Sequence, residues 1–110
     1  MTLREETSRP IRKGEPALSR EEAAALGREA PAWAIGDTSM EREFEFRDFG
    51  EAMDFANKVA AIANAQNHHP DICVSYSKVR LVLSTHKIGG LSRNDFIVAA
   101  KIDELLQKGR

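Results

Sequence analysis

The run Met40-Glu41-Arg42-Glu43-Phe44-Glu45-Phe46-Arg47 carries the clearest structural pattern in this 110-residue sequence. Its residues alternate strictly between two sets, which are Met40, Arg42, Phe44, Phe46 on one side and Glu41, Glu43, Glu45, Arg47 on the other. Alternation with a period of two is typical of a strand whose one face is buried and whose other face meets water. The run therefore predicts a half-buried strand.

Shorter alternating segments on either side of this run predict three further strands. Upstream, Trp33 to Ile35 precedes a turn at Gly36-Asp37, and this arrangement predicts a hairpin with the strand that begins at Met40. Downstream, the segments 72–76 and 79–83 alternate in the same way, and a tight turn near Ser77-Lys78 joins them. The sequence thus predicts four strands in two consecutive pairs.

Helical signals separate and flank these pairs. Ser19-Arg20-Glu21-Glu22 has the form of a capping box and predicts a helix over about 19–29. A second helix begins at Arg47 or Asp48 and ends where Asn67-His68-His69-Pro70 interrupts it. A third begins after Ser92, with Asp95 in its first turn, and runs to about residue 107. The order α-β-β-α-β-β-α predicts an α+β fold, a four-stranded antiparallel sheet with helices on one face.

Length and composition limit the domain organisation, the partners and the compartment. We expect an extended or mobile N-terminal arm at 1–18 and a single domain at 19–110. The formal charge is -1, which offers no electrostatic reason to bind nucleic acid. No segment reaches the roughly 20 apolar residues that span a bilayer. The N-terminus lacks the apolar core of a secretory signal, and the single cysteine fits a reducing compartment, so we predict a cytoplasmic protein.

An apolar stripe on the second helix is wider than one sheet face needs. Its members at helical spacing are Phe49, Ala52, Met53, Phe55, Ala56, Val59, Ala60, Ile62, Ala63. The stripe indicates either a second packing partner, such as another subunit, or a helix sunk deeply into its own core. Small domains bury a smaller share of their surface, so self-association is one source of extra stability.

Four polar residues at the ends of predicted elements are candidates for chemistry: His68, His69, His86 and Asp95. Histidine suits proton transfer near neutral pH. The alternatives are structural, since the paired histidines could cap the second helix and Asp95 could be only the N3 residue of a capping arrangement with Ser92. The same residues could ligate zinc, but the adjacency of His68 and His69 and the lack of metal-binding spacing argue against a metal.

The lone cysteine, Cys73, alternates with inward-facing Ile72 and Val74. Nothing in its neighbourhood marks a reactive thiol. We therefore expect a buried or half-buried inert residue.

Several motifs together carry a family resemblance. They are Asn67-His68-His69-Pro70-Asp71-Ile72, Tyr76-Ser77-Lys78-Val79, Ser84-Thr85-His86 and Gly89-Gly90-Leu91-Ser92-Arg93-Asn94-Asp95-Phe96. At this joint spacing the chain closely resembles pterin-4a-carbinolamine dehydratase over about 18–106, with Trp33 and Phe44-Glu45-Phe46 in the expected places. The resemblance implies the same four-stranded sheet with helices on one side and assembly into homodimers or homotetramers.

The resemblance also implies an activity and a set of site residues. The family eliminates water from 4a-hydroxy-tetrahydropterin to give quinonoid dihydropterin, in tetrahydrobiopterin recycling, with no metal or cofactor. His68 and His86 match the acid/base pair, and His69 helps to hold the substrate. Asp95 matches the acidic residue that orients a catalytic histidine. Ser84 and Thr85 match positions that contact the flat pterin.

One position departs from the family pattern. Asn64 stands where the family usually has an acidic residue in the active site, four positions before the first histidine, and it remains a candidate for substrate binding. An amide can form hydrogen bonds but cannot accept a proton. The resemblance therefore also admits a non-catalytic module on the same fold, because related proteins serve as cofactors of a homeodomain transcription factor or assist Rubisco assembly.

Overall fold

The alternating run forms a strand, as predicted, in the computed structural model, which describes residues 2–108 and the side chains of 2–106. In chain order the elements are α1 (Arg20–Gly27), β1 (Ala34–Ile35), β2 (Met40–Glu45), α2 (Phe49–Gln66), β3 (Asp71–Ser75), β4 (Lys78–Leu83) and α3 (Arg93–Lys108). Short 3-10 turns lie at Leu3–Glu5 and His86–Ile88. The predicted α+β class and element order are confirmed. Of the predicted domain, 19–110, the last two residues lie outside the described part.

The sheet has one apolar face and one polar face. Its order is β1-β2-β4-β3, and each neighbouring pair is antiparallel. Met40 pairs with Leu83 across β2 and β4, and both side chains are fully buried beneath the helices. On the opposite face Arg80 donates a hydrogen bond to Glu41 at 2.7 Å, and both side chains are about half exposed. This asymmetry is the one that the alternation predicted.

The prediction for Cys73 is wrong. Cys73 lies opposite Arg80 in the β3–β4 register, so it points to the uncovered face of the sheet and is exposed. The neighbouring residues of an edge strand alternate between faces, and only one face of this sheet carries helices.

Local capping signals place the helices close to their predicted bounds. The Ser19 hydroxyl accepts from the backbone of Glu22, and the capping box is complete. The Asp48 carboxylate accepts from the backbone of Glu51 at the start of α2. The β3–β4 turn falls one residue earlier than predicted, at 76–77, because Ser75 pairs with Lys78.

The wide stripe of α2 is divided between core and surface. Its buried members are Ala52, Phe55, Ala56, Val59, Ala63. Phe49 and Met53 stay 50% and 37% exposed. Packing within one chain therefore covers only part of the stripe. Within residues 2–108, no helix combines the length and the apolarity that crossing a bilayer requires.

The N-terminal arm is largely extended and packs along the domain. Leu3 is fully buried in the core, although the arm holds few large apolar residues. Further along, the Glu6 carboxylate accepts two hydrogen bonds from the Arg93 guanidinium, at 2.7 and 2.6 Å. This ion pair lowers the pKa of Glu6, chiefly through the hydrogen bonds from Arg93. The arm is thus held against α3 at several points.

Asp103, in the second half of α3, joins the helix to the sheet. Its carboxylate accepts hydrogen bonds from the Trp33 indole and the Arg42 guanidinium, both at 2.8 Å. Burial nevertheless raises the pKa of Asp103 above its ordinary value of 3.8, against the opposing effects of Trp33 and Arg42. The folded chain therefore holds a proton on this carboxyl more tightly than the unfolded chain does.

We expect the difference in free energy of unfolding between wild type and Asp103→Asn to depend on pH. A carboxyl with a raised pKa contributes stability that is fully present below its unfolded value and is lost as the pH rises through its folded value. Acidification from pH 7 to about 4 should therefore raise the free energy of unfolding of the wild type relative to that of the variant. Urea unfolding of both proteins at several pH values measures this difference. A difference that stays constant, or that shifts toward the variant on acidification, contradicts the expectation.

Candidate active site

The ends of three elements meet at one cleft of about 540 Å³. They are the end of α2, the loop that follows β4 and the start of α3. The lining residues are Thr7, Ser8, Arg9, Pro10, Ile11, Ala65, Gln66, Asn67, His68, His69, Ser84, Thr85, His86, Lys87, Asn94. All three histidines of the sequence are among them, so the structure brings together residues that are up to 18 positions apart.

A left-handed residue turns His68 into the cleft. Asn67 follows the last residue of α2 with φ 51° and ψ 42°, a conformation that asparagine tolerates better than most residues. The backbone N–H of His68 then donates to the carbonyl of Ala63 at 3.1 Å and closes the helix end. The proline at position 70 prevents the helix from resuming. The chain therefore leaves α2 sharply, and the two histidines stand at the turn.

Asp95 lies fully buried behind His68 and supports it. Its Oδ1 lies 2.5 Å from His68 Nε2, while its Oδ2 accepts from the Thr85 hydroxyl at 2.8 Å and from the Ser92 backbone at 2.9 Å. The bond from Ser92 is the N-terminal capping contact that the sequence suggested. Asp95 thus caps α3 and also contacts a cleft histidine.

The bonds to Asp95 fix the tautomer of His68. A carboxylate offers only acceptors, so the short contact requires the proton to be on His68 Nε2. A neutral imidazole then carries its lone pair on Nδ1. The side chain is only 12% exposed, so packing as well as hydrogen bonding holds the ring. His68 is therefore an oriented ring with one defined basic nitrogen.

Asn64 contacts the second histidine. Its Oδ1 lies 3.0 Å from His69 Nε2, in an exposed position at the last turns of α2. The amide oxygen accepts and His69 donates, so an uncharged acceptor stands where the family pattern has a carboxylate. Asn64 is adjacent to the cleft lining rather than part of it.

His86 begins the short turn after β4 and is exposed. Within the described residues, its ring has no hydrogen-bond partner. The backbone of Thr85 pairs with Gly90, and Gly89 adopts φ 64°, as the predicted unusual backbone angles of the Gly-Gly loop require. The loop 85–90 is therefore closed at its base, and the exposed His86 directly follows the closing residue Thr85.

The hydroxyl groups of Ser84 and Thr85 already have protein partners, although both residues line the cleft. Ser84 donates to the carbonyl of Thr38 at 2.7 Å. The buried Thr85 hydroxyl lies between Ser92 and Asp95. Thr85 therefore supports the carboxylate behind His68.

Sequence reasoning missed the arm's part in the cleft. Five consecutive arm residues, 7–11, line it, together with Gln66, Lys87 and Asn94. The Arg9 backbone and Asn94 are 85 positions apart, and no local pattern signals such a contact. The position of Asn94 directly before Asp95 was the one available hint.

The ionisable side chains that line the cleft are all basic. None of its lining residues is acidic, whereas two lysine or arginine side chains and three histidines line it. In the part of the chain that the structure describes, no three His, Cys, Asp or Glu side chains converge in a group that could hold a metal ion. The arrangement is suited to proton transfer by imidazoles to and from a small polar ligand.

Comparison with known proteins supports one family. Residues 16–105 match the family model described as pterin 4 alpha carbinolamine dehydratase. A relative from Rubrobacter xylanophilus, provisionally named pterin-4-alpha-carbinolamine dehydratase, is 44% identical over 104 residues, covering 94% of this chain and 97% of the relative. A relative from Methylococcus capsulatus with the same provisional name is 47% identical over 98 residues, covering 87% and 86%.

A solved structure agrees with this result. The Brucella melitensis protein described as a transcriptional coactivator/pterin dehydratase superposes with a TM-score of 0.76 at 28% identity, covering 81% of this chain and 97% of that one. The fold and the family match over most of the sequence both support membership of this one family. This chain belongs to the pterin-4-alpha-carbinolamine dehydratase family.

Proposed function

We propose that this protein is a dehydratase that eliminates water from 4a-hydroxy-tetrahydropterin and releases quinonoid dihydropterin. The observation that carries the proposal is the meeting of His68 and His86 in one cleft, with Asp95 bonded to His68, in a chain of this family. Two positioned imidazoles suffice to move the two protons of the reaction. The activity would serve tetrahydrobiopterin recycling, where a reductase consumes the product.

The proposed reaction follows from the tautomer of His68. Its Nδ1 takes the proton from the pterin ring nitrogen, and the electron pair released forms a double bond between that nitrogen and carbon 4a. The bond between carbon 4a and the hydroxyl oxygen breaks, and His86 gives a proton to the departing oxygen, so one water leaves. Asp95 balances the charge that His68 gains, and exchange with solvent resets both rings.

The direct test is the dehydration of chemically prepared 4a-hydroxy-tetrahydropterin. We expect purified protein to accelerate formation of the quinonoid product well beyond the rate in buffer. A rate equal to that of buffer, together with recovery of a stoichiometric protein partner in a pull-down, would support the non-catalytic binding or assembly module instead.

We also propose that the protein forms homodimers or homotetramers. Phe49 and Met53 leave an apolar patch uncovered on α2, and β3 is an edge strand with exposed Ile72. Burial of apolar surface is the main favourable contribution to most protein association. A second copy of the chain is the partner that these surfaces suit best in this proposal.

We expect sedimentation at micromolar concentration to give a dimer or a tetramer, and Met53→Glu to shift the distribution toward smaller species. Ala25→Glu places the same charge at an exposed position of α1 and serves as the control, with no shift expected. A clean monomer for the wild type would refute self-association.

A further inference from the structure

The arm segment 7–11, which we call the cleft strap, connects the three parts of the chain that supply the candidate site residues. Each contact is made next to one of them. Gln66 stands two residues before His68, Asn94 directly before Asp95, and Lys87 directly after His86. The family match begins at residue 16, so the strap lies outside the region that defines the family.

Hydrogen bonds at three points hold the cleft strap in place. The backbone N–H of Ser8 donates to Gln66 Oε1 at 2.8 Å. Asn94 bonds Arg9 in both directions, accepting from its N–H at 3.1 Å and donating to its carbonyl at 2.6 Å. The Lys87 ammonium donates to the carbonyl of Ile11 at 3.4 Å. All four of these bonds use the strap's backbone, so they fix its path rather than its side chains.

Most of the apolar residues that line the cleft belong to the cleft strap. The apolar lining residues are Pro10, Ile11 and Ala65, and two of these three belong to the strap. Sites for small flat ligands combine apolar surface with a few placed polar groups. Without the strap, the cleft would keep its imidazoles but lose two of its three apolar lining residues.

An ion pair links the strap residue Arg9 to Glu15, four residues beyond the end of the strap. The Glu15 carboxylate binds the Arg9 guanidinium at 3.3 and 2.9 Å and accepts from the Arg12 backbone at 2.9 Å. The Arg9 bonds lower the pKa of Glu15 to about 2, so the carboxylate is charged at neutral pH. The segment 9–15 is therefore folded on itself, and the strap cannot extend freely away from the cleft.

Resting on the proposed function, we propose that the cleft strap is a substrate-contacting wall of the active site, in which Pro10 and Ile11 pack against the pterin ring. Gln66 and Asn94 are then positioning residues that act through the strap. Arg9 is the one strap residue with an ionisable side chain, and guanidinium does not release its proton, so the strap contributes to binding and leaves proton transfer to the histidines.

The experiment compares steady-state kinetics of Ile11→Ser and of the double variant Gln66→Ala/Asn94→Ala with wild type. We expect each to raise KM about five- to tenfold, with kcat within about twofold, because a lost apolar contact or released tethers weaken binding rather than chemistry. Hydrogen exchange of the Ser8 and Arg9 amides should accelerate in the double variant alone.

Lys101→Met is the matched control. The Lys101 ammonium donates to the carbonyl of Arg4 at 2.7 Å, so its loss removes a contact between arm and α3 that lies outside the cleft. We expect no change in KM. If the double variant does not fold, Ile11→Ser and Gln66→Ala alone carry the test.

The outcomes separate the two proposals. Faster exchange of the strap amides with an unchanged KM would overturn the role of the strap while leaving the dehydratase intact. A wild type that binds a stable oxidised pterin without turnover would overturn the dehydratase, and the dissociation constants of the same variants would then test the strap. A wild type that neither turns over nor binds pterin removes both.

Discussion

His68→Ala and His86→Ala should each lower kcat for pterin dehydration by about 100- to 10,000-fold, the usual contribution of one positioned acid or base. His68 is expected to show the larger loss, because its ring is the one with a fixed tautomer and a buried carboxylate behind it. The His86 ring is exposed, so water can replace it in part. Single-turnover measurements on 4a-hydroxy-tetrahydropterin would separate the chemical step from product release.

Two further variants sharpen this expectation. His69→Ala should raise KM more than it lowers kcat, because His69 is assigned to holding the substrate. The double variant of His68 and His86 should lose less than the product of the single losses, since the two rings act in one step. A double variant with the wild-type rate would refute histidine catalysis, whatever the family membership.

Asp95→Asn should reduce kcat by a similar factor while keeping the fold. The Asn side chain has one acceptor and one donor group where Asp95 has two acceptors. If the amide oxygen keeps its bonds to Thr85 and Ser92, the amide NH₂ faces His68 Nε2 and forces the proton of the ring onto Nδ1. The atom proposed as the base is then blocked. Ring ¹⁵N chemical shifts of His68 would report this change of tautomer directly, which a purely structural role of Asp95 would not predict.

Asp95→Ala should also destabilise the protein, by about 3 kcal/mol. The change leaves the Ser92 N–H without an acceptor and removes one of the two hydrogen bonds of the Thr85 hydroxyl, and both residues are buried. Each buried donor left unsatisfied costs about 1–3 kcal/mol. Urea unfolding measures the loss. Asp103→Asn is the control on the same helix, and it should alter stability without changing kcat, so an equal kcat loss there would point to a general effect of disturbing α3.

Patterns confined to one element predicted most of this fold. The alternation over Met40–Arg47 identified the buried face of β2, because period-two contrast survives wherever only one face of a sheet is covered. Ser19 and Asp48 placed helix starts because capping is decided by neighbours within four residues. The three histidines and Asp95 were found as candidates because they stand where elements end.

Contacts between distant segments could not be read from local patterns. The arm was expected to be extended or mobile, yet Leu3 lies in the core and the Arg9 backbone bonds Asn94. Cys73 was misjudged because the general preference of cysteine for buried positions was applied, although alternation with inward-facing Ile72 and Val74 places it on the outer face. The Thr85 hydroxyl lies beside Asp95, and no local pattern predicts this contact because it depends on how the loop 85–90 closes.

The double duty of Asp95 limits how this site can evolve or be redesigned. One carboxylate starts a helix, satisfies the Thr85 hydroxyl and orients a ring, so a change there alters folding and chemistry together. The cleft strap does not start or end a helix or strand, since it belongs to none. A mutational library aimed at new substrates is therefore best concentrated on residues 7–11, where diversity can accumulate while the acid/base apparatus and the scaffold stay intact.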